Sequence, residues 1–332
     1  MRKKYLPILI IFTAGMIAGS CSQMSHISFN NRVHKQSPDQ RAINKFTDGV
    51  ILDLQENYAG ALLSYQEALL YDSTSAEINL AVARDYLFLG RAESGKKFLE
   101  RTSRLDPNNI EAMELMAKVL IQENKLDEAG EYFKKIISLD STNVESLHNL
   151  ALIYLQKREI DKALEMYNRI LRISETPDPE LLLRVGDLYF ELDQYKKAEQ
   201  SFLEFNKINP LDGHGYYGLG LIRETLQDTA AAMANYKKAL SLSPELEQVT
   251  ERLAVLYNEQ KKIDQGIEFF KEQIKKDSSV VQNWFALGEM YQQNGDTSQA
   301  VQIYEKMKEL FPEDMQVRVG SFLLIILWAI TI

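Results

Sequence analysis

Residues 160–177 read IDKALEMYNRILRISETP, and the chain repeats the pattern of this stretch five more times. Ala163 is a small residue, Tyr167 follows it four places later, and Pro177 lies in the turn signal that closes the segment. Internal repetition at a fixed period overrides chain length as a guide to domain number. The matching small residues are Ala61, Ala129, Ala163, Ala198, Ala232 and Ala300, and the matching aromatic residues are Tyr65, Phe133, Tyr167, Phe202, Tyr236 and Tyr304.

A second small position lies twelve residues before the first and occurs eight times. Successive members are 34 residues apart, except for 35 between Ala151 and Gly186, where the extra residue falls in the turn SETPDPE. This period resembles the tetratricopeptide repeat, a helix-turn-helix unit of 34 residues, over residues 42–312. The resemblance implies an all-α, right-handed superhelical solenoid of about eight TPR repeats, whose first helices line the concave side. The eight small residues are Gly49, Ala83, Ala117, Ala151, Gly186, Gly220, Ala254 and Gly288.

The chemistry of these positions is packing. Glycine or alanine lets two helices approach closely, and the aromatic residue is expected to fill the space between one hairpin and the next. Stacking buries the apolar face of each hairpin in one elongated core. The second unit has Gly95 and Leu99 in place of the usual alanine and aromatic residue. We expect that hairpin to be looser than its neighbours.

The start of the chain predicts export. Residues 2–4 are basic, and residues 5–19 form an uncharged apolar run of signal-peptide length, too short to span a bilayer. The small residues before Cys21 resemble the lipobox of bacterial lipoproteins, in which the cysteine is acylated. Ala18 stands where such boxes usually have leucine, so ordinary secretory cleavage also fits. We therefore expect a signal peptide at 1–20 and a flexible tether at 21–41 that begins with lipidated Cys21.

Charge and cysteine content narrow the function. Cys21 is the only cysteine, so the chain has no disulfide framework. Loss of residues 1–20 would remove three cationic residues and take the net charge from −9 to −12. An acidic chain disfavours nucleic acid and polybasic membrane binding, and it favours basic partners.

Two glycine motifs and four histidines invite other interpretations. GRAESGKK at 90–97 lacks the final Ser or Thr of a phosphate-binding loop, and GHGYYG at 213–218 has no strand before it. Both sets of glycines coincide with the helical repeat, which favours packing. The histidines have no carboxylate or thiol at ligand spacing. We expect no metal, no cofactor, no small-molecule substrate and no catalytic activity.

The repeat register predicts where a protein or peptide would bind. The family resemblance places ligands in the groove of the first helices, and the central units contribute the most apolar and aromatic inward positions. Such a stripe is equally consistent with ordinary core. A clamp for a chaperone C-terminal carboxylate is not supported, because other residue types fill its positions. The candidate groove residues are His148, Leu152, Leu155, Leu183, Asp187, Phe190, Glu191, His214, Tyr217, Leu221 and Glu224.

Residues 313–332 begin like a ninth repeat and then become an apolar run. Either the reading frame is truncated or shifted there, or a real hydrophobic tail docks on the last hairpin or a partner. Our prediction is a non-catalytic scaffold, lipid-anchored in the bacterial cell envelope and facing the periplasm. Ser22 after the cysteine favours the outer membrane by analogy with proteobacterial sorting. The alternative is the recognition arm of a longer signalling or enzymatic protein.

Overall fold

The computed structural model describes residues 39–318, which form sixteen α-helices paired into eight antiparallel hairpins. The predicted signal peptide, Cys21 and the apolar run 322–332 lie outside the described residues. The helices are α1 Gln40–Leu54, α2 Tyr58–Tyr71, α3 Ala76–Phe88, α4 Ala92–Leu105, α5 Ile110–Gln122, α6 Leu126–Leu139, α7 Val144–Gln156, α8 Ile160–Ile173, α9 Pro179–Glu191, α10 Tyr195–Ile208, α11 His214–Thr225, α12 Thr229–Leu242, α13 Glu247–Glu259, α14 Ile263–Lys276, α15 Val281–Gln293 and α16 Thr297–Leu310.

Short polar connections set the helix boundaries. Several first helices begin after a residue whose side chain caps the helix, as Asn109 does by accepting a hydrogen bond from Ala112 N at 2.9 Å. α1 begins at Gln40, two residues before the predicted start of the solenoid. After α16, Asp314 accepts from Val317 N at 3.0 Å and begins a helical turn at 315–318.

The turn inside every hairpin passes through one residue in the left-handed region. Its φ is positive in all eight hairpins, although only two of the residues are glycine. This recurrence, with one interval of 35 residues, keeps the two helices of each pair in the same geometry along the solenoid. The eight residues are Glu56, Gly90, Asn124, Arg158, Asp193, Gln227, Lys261 and Gly295.

The small and aromatic positions meet inside each hairpin. A Cβ added to Gly186 would lie 2.5 Å from Phe202 Cε1, and at Gly220 it would lie closer still to Tyr236 Cε1. The aromatic ring therefore rests on the small residue of its own hairpin, which the sequence interpretation did not specify. The expected contact with the next hairpin also exists, because a Cβ at Gly218 would lie 2.5 Å from Phe202 Cζ.

The second hairpin is not loose, contrary to the expectation. Leu99 is fully buried, and a Cβ at Gly95 would lie 2.7 Å from Leu87 Cδ2 and 3.1 Å from the carbonyl oxygen of Ala83. Glycine compensates for the missing aromatic ring because it brings α4 closer to α3.

The glycine motifs are packing motifs. In the 213–218 stretch, a Cβ at Gly213 would lie 2.5 Å from Ala239 O, and one at Gly215 would lie 2.7 Å from Phe205 Cδ1. In the other motif, Gly90 has a φ of 71° in the hairpin turn and Gly95 packs against α3. Neither lies at the end of a strand.

Helix contacts define the concave side of the stack. Successive first helices touch, as α9 does with α11 and α13 with α15, whereas no pair of successive second helices packs as closely. A stack curves toward the side on which its elements lie closer together. We call the surface formed by the first helices the inner face.

Candidate peptide-binding groove

One repeat position samples the inner face along the whole solenoid. It is the residue directly after the small residue of each first helix, and it is exposed or half-exposed in all eight hairpins. Its chemistry changes along the stack from basic near the N-terminus to apolar and acidic in the centre. The eight residues are Val50, Arg84, Lys118, Leu152, Asp187, Leu221, Val255 and Glu289.

Three apolar members of this position surround one acid. Leu152 is 39% exposed and Val255 is 52% exposed, and Leu221 is half-buried. The sequence interpretation included Leu152 and Leu221 but missed Val255, because it considered only the central units. The repeat register would have found Val255, since it follows Ala254 as Leu152 follows Ala151.

The other predicted apolar residues divide their surface between core and groove. Leu155 and Leu183 are half-buried and pack against core clusters. The ring of Phe190 lies 5.6 Å from that of Tyr195, and the ring of Tyr217 lies 6.2 Å from that of Tyr236. Their accessible parts supply side walls for the groove.

The acidic side chains of the groove differ in environment. Asp187 is exposed by area, but the surrounding helices desolvate it enough to raise its pKa, against the opposing effects of Arg184 and His214. Glu191 is exposed at the last residue of α9. Asp187 therefore stands between Leu152 and Leu221 as the acid of an otherwise apolar stripe.

The two histidines lie at different depths of the helices. His148 is exposed, and its ring lies 5.8 Å from the ring of Tyr167. His214 is the first residue of α11, and its Nδ1 lies 2.6 Å from Asp212 Oδ1. Both border the groove without joining a cluster of ligating side chains.

Glu224 is already satisfied by the protein. Tyr236 Oη donates a hydrogen bond to Glu224 Oε2, and Arg252 Nη1 lies 2.9 Å from Glu224 Oε1. Burial and the carboxylate together raise the pKa of Tyr236. Glu224 therefore joins two hairpins, and less of its charge is available to a ligand than the sequence suggested.

Ion pairs link the first helices nearer the N-terminus. Arg84 Nη1 lies 2.9 Å from Glu111 Oε1, and Lys118 Nζ lies 2.9 Å from Glu145 Oε1. Sequence reasoning assigned these glutamates to the helix dipole alone. Because both pairs are solvent-exposed, each contributes about 0 to 1 kcal/mol to stability.

Between residues 39 and 318, no group of three or more His, Cys, Asp or Glu side chains is arranged to hold a metal ion. In the same range, no helix has both the length and the apolar character needed to cross a membrane.

The fold and its varied inner face define a helical-repeat scaffold, a class that binds other proteins on extended concave surfaces. Models of the tetratricopeptide repeat match residues 54–119, 120–177, 179–210, 213–246 and 281–314. The chain belongs to the tetratricopeptide repeat family. None of the matching models describes an enzyme.

Individual relatives are distant. The TPR repeat-containing protein YpiA of Bacillus subtilis is 25% identical over 234 residues, which are 68% of this chain and 46% of YpiA. The chain thus spans about half the length of the curated relative it matches. The C-terminal part of a TPR repeat-containing protein from Cytophaga hutchinsonii has a TM-score of 0.55 at 19% identity, over 83% of this chain and 98% of that chain.

A tetratricopeptide repeat protein from Parabacteroides merdae ATCC 43184 has a TM-score of 0.46 at 20% identity, over 75% of this chain and 98% of that one. At such identities a solved structure is similar in fold alone.

Proposed function

We propose that this chain is a non-catalytic scaffold that binds a peptide or helix of a protein partner across the inner face of its central hairpins. The observation that carries the proposal is the position directly after the small residue. Core positions repeat the same residue classes in every hairpin, whereas this accessible position changes its chemistry from one hairpin to the next. Variation restricted to an accessible surface is expected of a recognition face and not of a packing face.

The central stripe also defines the type of ligand. Leu152, Leu221 and Val255 provide apolar contacts, and Asp187 lies between the first two along the stack. Phe190 supplies an aromatic anchor at the side wall. We therefore expect an apolar peptide with a basic or hydrogen-bond-donating residue near its centre.

Replacing Phe190 with alanine should weaken binding of a partner recovered by crosslinking by about 2 kcal/mol, or roughly thirtyfold, at any ionic strength. The reason is that aromatic anchors in a partly desolvated groove contribute more than exposed contacts. Binding of the purified variants would be measured by titration calorimetry, after circular dichroism has shown wild-type helicity.

Leu203→Ala is the matched control, because Leu203 is a 47% exposed apolar residue on the second helix α10. Asp187→Asn combined with Glu191→Gln should reduce binding mainly at low salt and only for a basic partner. Equal retention of the partner by Phe190→Ala and Leu203→Ala would exclude the central groove.

We also propose that Cys21 carries acyl chains and anchors the scaffold in the bacterial envelope, at the outer membrane facing the periplasm. Support comes from the basic residues 2–4, the apolar run 5–19 and the small residues before the cysteine. Two or more acyl chains anchor a protein stably, whereas one chain is marginal.

Cys21→Ser should move the protein from the detergent-rich phase to the aqueous phase on phase separation of cell envelopes. Ser20→Ala, which keeps a small residue before the cysteine, serves as the control and should stay in the detergent-rich phase. A Cys21→Ser protein that remains in the detergent-rich phase would place the anchor elsewhere.

A further inference from the structure

A cleft of about 310 Å³ opens between the first two hairpins, away from the central groove. Its walls are apolar and well exposed, with Leu54 at 76% and Phe88 at 62%. The ring of Phe88 stacks on that of Tyr58 at a centroid distance of 4.7 Å. We call this feature the N-terminal cleft. Its lining residues are Val50, Asp53, Leu54, Tyr58, Tyr65, Arg84 and Phe88.

Two carboxylates without a cation lie at the base of the cleft. Tyr65 Oη donates to Asp53 Oδ2 at 2.6 Å, and Asp53 Oδ1 is buried without a hydrogen-bond partner. Behind it, Asp85 is 0% exposed, and neither of its oxygens has a partner. Within the described residues no basic side chain lies within 4.0 Å of either carboxylate, whereas buried charges are normally paired.

Asp85 breaks the repeat. It stands two residues after the small residue of its first helix, and the six hairpins that follow have a buried aliphatic residue or methionine there. A buried carboxylate in this place destabilises the fold, and such departures from the local rule are expected at functional sites. The corresponding residues are Val119, Ile153, Leu188, Ile222, Leu256 and Met290.

The sixth and seventh hairpins show what completes such a site. There Glu224 occupies the repeat position of Asp53, Tyr236 that of Tyr65, and Arg252 of the following first helix pairs with the glutamate. The residue at the position of Arg252 in the second hairpin is Ala81, which is buried in the same cluster as Tyr65. The carboxylate and the tyrosine are therefore present in the first hairpin, and the guanidinium is missing.

Arg84 does not replace it. Its Nη1 is 2.9 Å from Glu111 Oε1 of the third hairpin, and its charge opposes the raised pKa of Asp85 only in part. The acidic pair therefore keeps the capacity to accept hydrogen bonds from a further cation. That cation would enter along walls made of aromatic and aliphatic side chains.

We propose that the N-terminal cleft binds an arginine side chain of a partner peptide, with the guanidinium on Asp53 and a neighbouring apolar side chain of the peptide against Leu54, Tyr58 and Phe88. The partner supplies the group that Arg252 supplies within the chain. This site is separate from the central groove, so it does not depend on the function proposed above.

A blocked, fluorescein-labelled hexapeptide with the sequence Leu-Arg-Phe-Leu-Arg-Phe tests the proposal. Its counterpart has citrulline in place of arginine and is nearly isosteric but neutral. Fluorescence anisotropy with the full chain at pH 8 should show at least tenfold tighter binding of the arginine peptide. Asp53→Asn should remove this difference, and Phe88→Ala should weaken both peptides.

Glu165→Gln is the matched control, because Glu165 is an exposed carboxylate on the second helix α8 and its replacement changes the net charge equally. It should keep the preference for arginine. Circular dichroism and the melting temperature show whether Asp53→Asn remains folded, and Phe88→Ala tests the site independently because Phe88 is exposed. Equal binding of both peptides, or an arginine preference that survives Asp53→Asn in a folded protein, would overturn the proposal.

Discussion

Asp85→Ile should stabilise the repeat domain by about 1 to 4 kcal/mol at pH 8, the range found when buried charges are replaced by well-packed apolar residues. Ile153 and Ile222 occupy the same repeat position and are buried. Isoleucine therefore fits the local geometry, and it removes a carboxylate that has no hydrogen-bond partner. The measurement is urea unfolding followed by circular dichroism.

The gain should depend on pH in a defined direction. Burial, reinforced by the neighbouring Asp53, raises the pKa of Asp85 from 3.8 to about 7. The charged and titratable groups that face it are Asp53 on α1, Tyr65 on α2 and Arg84 on α3. Between about pH 4 and pH 7 the folded chain thus binds more protons than the unfolded chain, so the free energy of unfolding falls as the pH rises.

Asp85→Ile should lack this fall, and its advantage over the wild type should grow from pH 4 to pH 8. Leu188→Ile, a change between aliphatic residues at the same repeat position, is the control and should shift both pH values equally. A wild-type chain that is as stable as Asp85→Ile at pH 8 would mean that Asp85 has a partner cation.

Gly220→Leu should destabilise the domain by about 3 kcal/mol, the upper part of the range for overpacking. Even a Cβ at Gly220 would overlap the ring of Tyr236, which is fully buried and bonded through its hydroxyl to Glu224. The ring has no free space to enter, so α11 and α12 must separate. Ala163→Leu, at a fully buried second-helix position, should lower stability for the same reason.

Gly130→Ala is the control for glycine replacement in a helix. A Cβ there would lie 3.7 Å from Leu150 Cδ1, an ordinary contact, and alanine is favoured over glycine in a helix interior by about 1 kcal/mol. We expect Gly130→Ala to be at least as stable as the wild type. Unchanged melting curves for both Gly220→Leu and Ala163→Leu would mean that the assigned repeat register is wrong.

Most of the fold could be predicted from the sequence because its interactions are local. The 34-residue spacing, the small residues and the aromatic residue sixteen places after each first-helix small residue depend on contacts within one hairpin. The extra residue between Ala151 and Gly186 was correctly assigned to a turn, since α8 ends at Ile173 and α9 begins at Pro179. A period repeated eight times specifies a stack, because each hairpin can bury its apolar face only against the next.

Less of the candidate groove could be predicted. The register located Leu152, Asp187 and Leu221, but it could not show that Glu224 is bonded to Arg252 of the next hairpin. Nor could it show how far the half-buried Phe190 and Tyr217 are committed to the core. Exposure is a property of neighbouring helices, and a periodic pattern gives only the direction of a side chain.

The sequence by itself determined the helix pairs, their order and the small and aromatic positions that pack them. Only the tertiary structure decided which charges are satisfied, because those pairings join side chains from different hairpins. Asp53 and Asp85 are 32 residues apart and resemble ordinary surface acids in the sequence. Stacking of the first two hairpins places them together beside a tyrosine, and Ala81 at the place of Arg252 leaves them without a cation.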